Sequence, residues 1–117
     1  MPHAARGTAA REQGAHMDAI ERIESAEAAF DKVIAANKRL AEALALYDET
    51  LGDLALFADY YSSGEWFDDH DADGRGELPV GLKRGVLSED LPYDALIDTR
   101  DLALRMLEIA TDILYTV

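Results

Sequence analysis

From Asp18 to Tyr61 the chain has no proline and a single glycine, Gly52. Alanine, leucine and glutamate dominate the stretch, and all three favour helix. Within it, Ile23, Ala26, Phe30, Val33, Asn37 and Leu40 recur in alternating steps of three and four. Leu44, Tyr47, Leu51, Leu54, Ala58 and Tyr61 carry the series on. Such a series returns to one face of a helix and is incompatible with the two-residue period of a strand. The segment is therefore predicted to be one long helix with a heptad seam that must be covered. The flanks of the seam are apolar as well: Ala29, Ile34, Ala36, Ala41 and Ala43 stand where a simple two-stranded zipper carries charges. A broad stripe rich in small residues fits a bundle with close helix approach better than a simple parallel dimer. Asn37 is the one polar member, read as a register marker kept at some cost in stability.

The rest of the chain is shorter in pattern. Ser62, Ser63 and Gly64 end the first helix, and "EWFDDH" allows one or two helical turns. "DADGRGELPVGLKRG" holds four glycines and one proline and reads as the main loop. A last helix begins near "SEDLPYD", capped by Ser88 or Asp90, with Pro92 tolerated in its first turn, and runs to about Tyr115. Its apolar residues cover more than one face, so it is expected to be buried by two neighbours. At 1.5 Å per residue the two helices span about 65 Å and about 37 Å. An antiparallel hairpin of the two leaves the stripe over residues 20–40 bare. No breaker lies there, so self-association is expected, a dimer foremost, through Ile23, Phe30, Val33, Ile34 and Leu40.

A chain of 117 residues with 49% hydrophobic residues suits one folded domain, placed at residues 17–117. Residues 1–16 are small, polar and aperiodic and read as a disordered extension or a vector-derived tail. They contain no apolar core of a signal peptide, and no apolar run in the chain approaches the roughly 18–20 residues of a membrane span. There is no cysteine, which excludes disulfides and thiolate chemistry and suits a reducing cytoplasm. Eleven basic residues against 24 acidic ones give a net charge of −13. That field repels phosphate backbones and anionic lipid, so neither nucleic acid nor membrane is an expected partner.

One motif asks for a cation. Asp69, Asp71 and Asp73 alternate, Gly74 follows, and Glu77 stands at the ninth position of a calcium-type loop. The twelfth position, which supplies the bidentate glutamate, is Val80, with Pro79 before it. A weak calcium-like site at Asp69, Asp71, Asp73 and Glu77 is the alternative; an acidic solvated turn is the leading reading. His70 beside these carboxylates offers acid–base chemistry, but no nucleophile or oxyanion element accompanies it. No catalytic residue and no cofactor is assigned.

Lys83 and Arg84 form a cationic pair in an acidic region, suited to an acidic partner or to pinning the loop through the 68–77 acids. Arg100 and Arg105 lie on an apolar helix and, if buried, need partners such as Glu49, Asp53 or Asp59. Tyr60, Tyr61, Trp66 and Phe67 surround a tight turn, where aromatics anchor a core or line an interface. Tyr61, Trp66, Lys83, Arg84, Arg100 and Arg105 are thus candidate partner-binding or loop-anchoring residues.

The run "YYSSGEWFDDHDADGRGELPVGLKRGVLSED", followed by "DTRDLALRMLEIATDIL", resembles a family of small bacterial proteins known as domain of unknown function 4298. The resemblance covers roughly residues 18–115. It is most specific at Tyr60, Tyr61 and Trp66, at Leu78-Pro79, over Leu82–Asp90, and at Arg100, Arg105 and Met106. It implies a small all-helical protein and no assigned activity. The family pattern lacks the Asp73-Gly74 pair and has asparagine where Thr99 stands. The calcium-like spacing therefore belongs to this sequence and not to the family. The combined expectation is an all-α fold: a long helix packed antiparallel on a C-terminal helix, with a short helix and loop between, forming a coiled-coil-like bundle completed by self-association. The expected role is non-enzymatic, in protein–protein interaction or regulation, with an unidentified protein as partner.

Overall fold

The computed structural model describes residues 15–117 and is all-α, with no strand among the described residues. Helix α1 spans Ala15–Tyr61, α2 spans Gly64–Gly74, a 3-10 turn spans Gly85–Leu87, and α3 spans Asp90–Thr116. The long uninterrupted N-terminal helix is as predicted. It begins at Ala15, inside the stretch read as an extension; the remainder of that stretch lies outside the described residues. Among the described residues no helix is long and apolar enough to cross a membrane.

The chain divides into two compact units, one ending at Glu49 and the other Thr50–Thr116. In the first, α1 presents its seam uncovered: Ile23 is 61% exposed, Phe30 58%, Val33 56%, Ile34 51% and Leu40 47%.

The second unit is assembled around the joint between α1 and α2. Ser63 stops α1 by turning extended (φ −89°, ψ 159°). Its hydroxyl donates to the Tyr60 carbonyl at 2.6 Å and accepts from the Trp66 amide at 3.4 Å. One serine thus closes one helix and caps the next, relieving an amide that has no partner within its own helix. At the other end of α2 the Glu77 amide donates to the Ala72 carbonyl and the Gly76 amide to the Asp73 carbonyl, each at 3.0 Å. Gly76 takes φ +72°, which completes a Schellman stop. Leu82 N–H to Pro79 O closes a turn in the connection that follows. Ser88 then accepts from the Leu91 amide at 3.0 Å and starts α3.

Two sequence expectations are corrected. The segment 71–74, read as the start of the main loop, is the end of helix α2, because caps at both ends and an apolar face carried by Trp66 hold it. The last helix is also not enclosed by neighbours: residues 101–117 are exposed throughout, and Pro92 is the only described residue of α3 that is buried. The 3-10 turn meets both α2 and α3, and these are the extensive contacts between elements. Among the described residues, Trp66 and Leu87 alone form the buried hydrophobic core.

Candidate functional site

Trp66 is the centre of the second unit. It projects from the first turn of α2, 6% exposed, and its indole N–H donates to the Val86 carbonyl at 2.8 Å. That bond settles a buried polar group at the centre of an apolar contact, as tryptophan requires. Tyr61 meets the indole edge-on, with ring centroids 5.1 Å apart at 78°. Phe67 does the same at 5.3 Å and 82°, although it is 63% exposed. His70 lies one turn beyond Trp66 and so on the same helix face; the two rings stack at 4.8 Å and 11°.

His70 is the second latch. Its Nδ1 stands 2.7 Å from the Leu87 carbonyl. A carbonyl oxygen only accepts, so Nδ1 carries the proton in this bond. Nε2 faces outward, 3.7 Å from a Glu89 carboxylate oxygen. Trp66 and His70 therefore hold consecutive carbonyls of the 3-10 turn from one face of α2. Sequence reading assigned His70 no such role; the signal available was its four-residue spacing from Trp66.

The carboxylates that the alternative, calcium-like reading gathers around a cation are dispersed. Residues two apart on a helix differ by about 200° in direction, so Asp71 cannot converge with Asp69 and Asp73. Asp69 accepts the Tyr60 hydroxyl at 2.6 Å. Asp73 accepts from Arg84 at 2.5 Å. Glu77 pairs with Arg75 at 2.8 Å, and Asp71 is exposed. Among the described residues no three histidine, aspartate or glutamate side chains are grouped to hold a metal ion.

Arg84 is the third latch. Besides Asp73, its guanidinium donates to the Pro79 carbonyl and, at 3.2 Å, to the Leu82 carbonyl. The rigid fork of donors suits this three-way contact, which a lysine could not reproduce. It gathers residues 79–84 against α2. Lys83, its neighbour, is exposed and lines a cleft of about 310 Å³ with Tyr60, Asp69, Leu78, Leu82, Val86 and Leu87.

The electrostatics follow these pairs. The Asp69 carboxylate holds the Tyr60 proton by a hydrogen bond, with burial and the negative charges of Asp69 and Glu65 adding to it, and the phenol is pushed up from 10.0 to about 12. The Arg75 guanidinium holds the exposed Glu77 carboxyl below its ordinary value, and Arg75 is raised in return.

Arg100 and Arg105 do not join the cluster. Both are exposed on α3, and Arg105 reaches Glu108 on its own helix at 3.4 Å, not Glu49, Asp53 or Asp59. Exposure removes the need for a buried partner that the sequence suggested. The candidate residues thus fall into three groups: Tyr61, Trp66 and Arg84 in the latched cluster with Lys83 at its edge, Arg100 and Arg105 along α3, and the apolar seam of α1.

A family model described as "Domain of unknown function" (DUF4298) matches residues 23–109. No curated protein and no solved structure matches the chain.

Proposed function

The chain belongs to the DUF4298 family, and we propose that it serves as a non-enzymatic interaction module whose binding surface is the apolar face of α1. One observation carries this reading. Eight large residues of the seam and its flank, from Ile23 to Leu51, are 36–61% exposed on an unbroken helix. Contiguous apolar surface of this extent on a protein with a net charge of −13 marks a place where another protein binds. Scattered exposed leucines would carry no such meaning.

The role that fits is regulatory or scaffolding, with self-association as its simplest form. The acidic surplus favours protein partners over nucleic acid or anionic membrane. The absence of cysteine suits work in a reducing cytoplasm. In the second unit, the latches on the 3-10 turn serve to hold residues 79–87 in one conformation.

Leu40→Glu tests the reading, since it places a charge in the middle of the seam. Light scattering behind size exclusion at tens of micromolar is expected to show an oligomer for the native chain and a monomer for the variant, with unchanged helical circular dichroism. A native chain that stays monomeric, and that elutes unchanged with every candidate partner, removes the proposal.

A further inference from the structure

We propose that α1 binds a second copy of this chain in parallel and in register, with Asn37 facing Asn37. The inference rests on the reading above, that the α1 seam is a binding surface, and names its occupant and orientation.

The size of the face comes first. Eight large residues between Ile23 and Leu51, each around half exposed, present roughly 100 Å² apiece. Together they match the roughly 800 Å² per partner of a standard specific interface. The same face on a second copy is available by definition, and a two-fold pairing covers both at once.

Asn37 then selects the orientation. It is exposed and lies in the seam, in the same heptad position as Ile23, Phe30, Leu44 and Leu51. Covering the seam removes its amide from water, and an amide so buried needs a hydrogen-bonding partner. In a parallel, in-register pair, like positions meet, so the two Asn37 side chains face each other and bond as donor and acceptor. In an antiparallel pair the Asn37 position meets the other seam position. That position is occupied by Ala26, Val33, Leu40, Tyr47, Leu54 or Tyr61, whatever the register. Only the tyrosine hydroxyls among these could bond the amide, and a phenol at the tip of a long ring does not match the donor-and-acceptor pairing that a second asparagine offers.

The flanking charges point the same way. Arg22 precedes the seam at Ile23, and Glu27 follows it at Ala26. In a parallel pair these flanks oppose each other across the interface at a five-residue offset, so Arg22 of each copy meets Glu27 of the other. In an antiparallel pair each flank meets its own kind. Arg22 then faces a set of Arg22, Ala29, Ala36, Ala43 and Thr50, and Glu27 faces a set of Glu27, Ile34, Ala41 and Asp48. No register of the antiparallel pair yields a single attraction. Alanines at 29, 36, 41 and 43, where an ordinary zipper carries charges, leave the two backbones free to approach more closely than a simple zipper does and keep the outer edges of the pair open to further helices.

The chain has no cysteine, so single introduced thiols report cleanly. Ile23→Cys and, separately, Tyr47→Cys are oxidised in dilute solution and run on non-reducing gels, beside light scattering of the reduced proteins. The two positions are about 36 Å apart along the helix. Parallel, in-register pairing predicts that each variant cross-links to itself in high yield. Antiparallel pairing allows self-cross-linking at its midpoint alone, so at least one variant stays uncrosslinked while both remain dimeric by scattering. That result overturns the orientation and leaves self-association standing. Monomeric mass for both reduced variants and for the native chain overturns the self-pairing altogether and leaves the α1 face to a different protein. Asn37→Leu adds an independent readout: the dimer is expected to tighten by tenfold or more while losing its single oligomeric state. An unchanged dimer with Asn37→Leu would falsify the buried amide pair.

Discussion

Three side chains, Trp66, His70 and Arg84, latch residues 79–87 to α2, and each donates to backbone carbonyls, with Arg84 also holding the Asp73 carboxylate. Trp66 and His70 take Val86 and Leu87, and Arg84 takes Pro79 and Leu82. Side-chain donors are directed at main-chain acceptors because a connection without regular structure leaves those acceptors otherwise unmet. Tyr60 adds a bond of another kind, a phenol donating to a carboxylate, which charge makes short and strong. Its folded value of about 12 lies above its ordinary 10.0. The contribution to stability is therefore whole below pH 10 and is lost as pH rises through the folded value. A tyrosinate absorbance titration of the native chain minus that of Tyr60→Phe is expected to show one phenol ionising near pH 12. Asp69→Asn should bring that phenol back toward 10. A difference curve centred at 10 would show that the hydrogen bond does not persist in solution.

At the scale of the element, α2 decides what the acidic run can do. Read as a loop, the sequence Asp69 to Glu77 gathers carboxylates around Gly74. Folded as a helix to Gly74 with its turn at Gly76, it spreads them around a cylinder. The two glycines consequently predict opposite responses to alanine. At Gly74 a Cβ meets nothing within 4 Å and the backbone is ordinary helix, so Gly74→Ala should stabilise by about 0.5–1 kcal/mol. At Gly76 there is equal room, but φ is +72°, so Gly76→Ala should cost about 1–2 kcal/mol. Urea denaturation monitored by Trp66 fluorescence measures both. A larger penalty at Gly74 than at Gly76 would return the segment to the loop reading. The helix was hard to see in the sequence because its interior is polar. Its apolar contacts reduce to Trp66, with the His70 ring laid against it, and the caps that hold it are a serine and a glycine of kinds found in many loops.

At the scale of the molecule, charge and apolar surface oppose each other. A chain of net charge −13 resists meeting its own copy, while the α1 seam favours it. Salt shortens the reach of the repulsion, from about 10 Å at 0.1 M to about 3 Å at 1 M, and leaves apolar burial intact. Self-association is therefore expected to tighten several-fold between 20 and 300 mM NaCl in sedimentation equilibrium. The Arg22–Glu27 contacts of the proposed pair would lie exposed at its rim and be too weak to reverse that sign. Weakening with salt would instead mean that ion pairs, not the seam, hold the copies together. The long helix was legible in the sequence by itself, because 44 residues without proline and with an apolar residue every three or four positions admit no other local structure. So were the stop at Ser62–Gly64, the cap at Ser88 and the all-α class, since each rests on propensities and hydrogen bonds within a few residues. What Trp66, His70 and Arg84 reach for was decided only by the tertiary structure. Apart from Leu82, two positions from Arg84, their partners lie between five and twenty positions away along the chain, and which carbonyl or carboxylate comes within reach depends on how α2 and the 3-10 turn pack, a choice that no local pattern encodes.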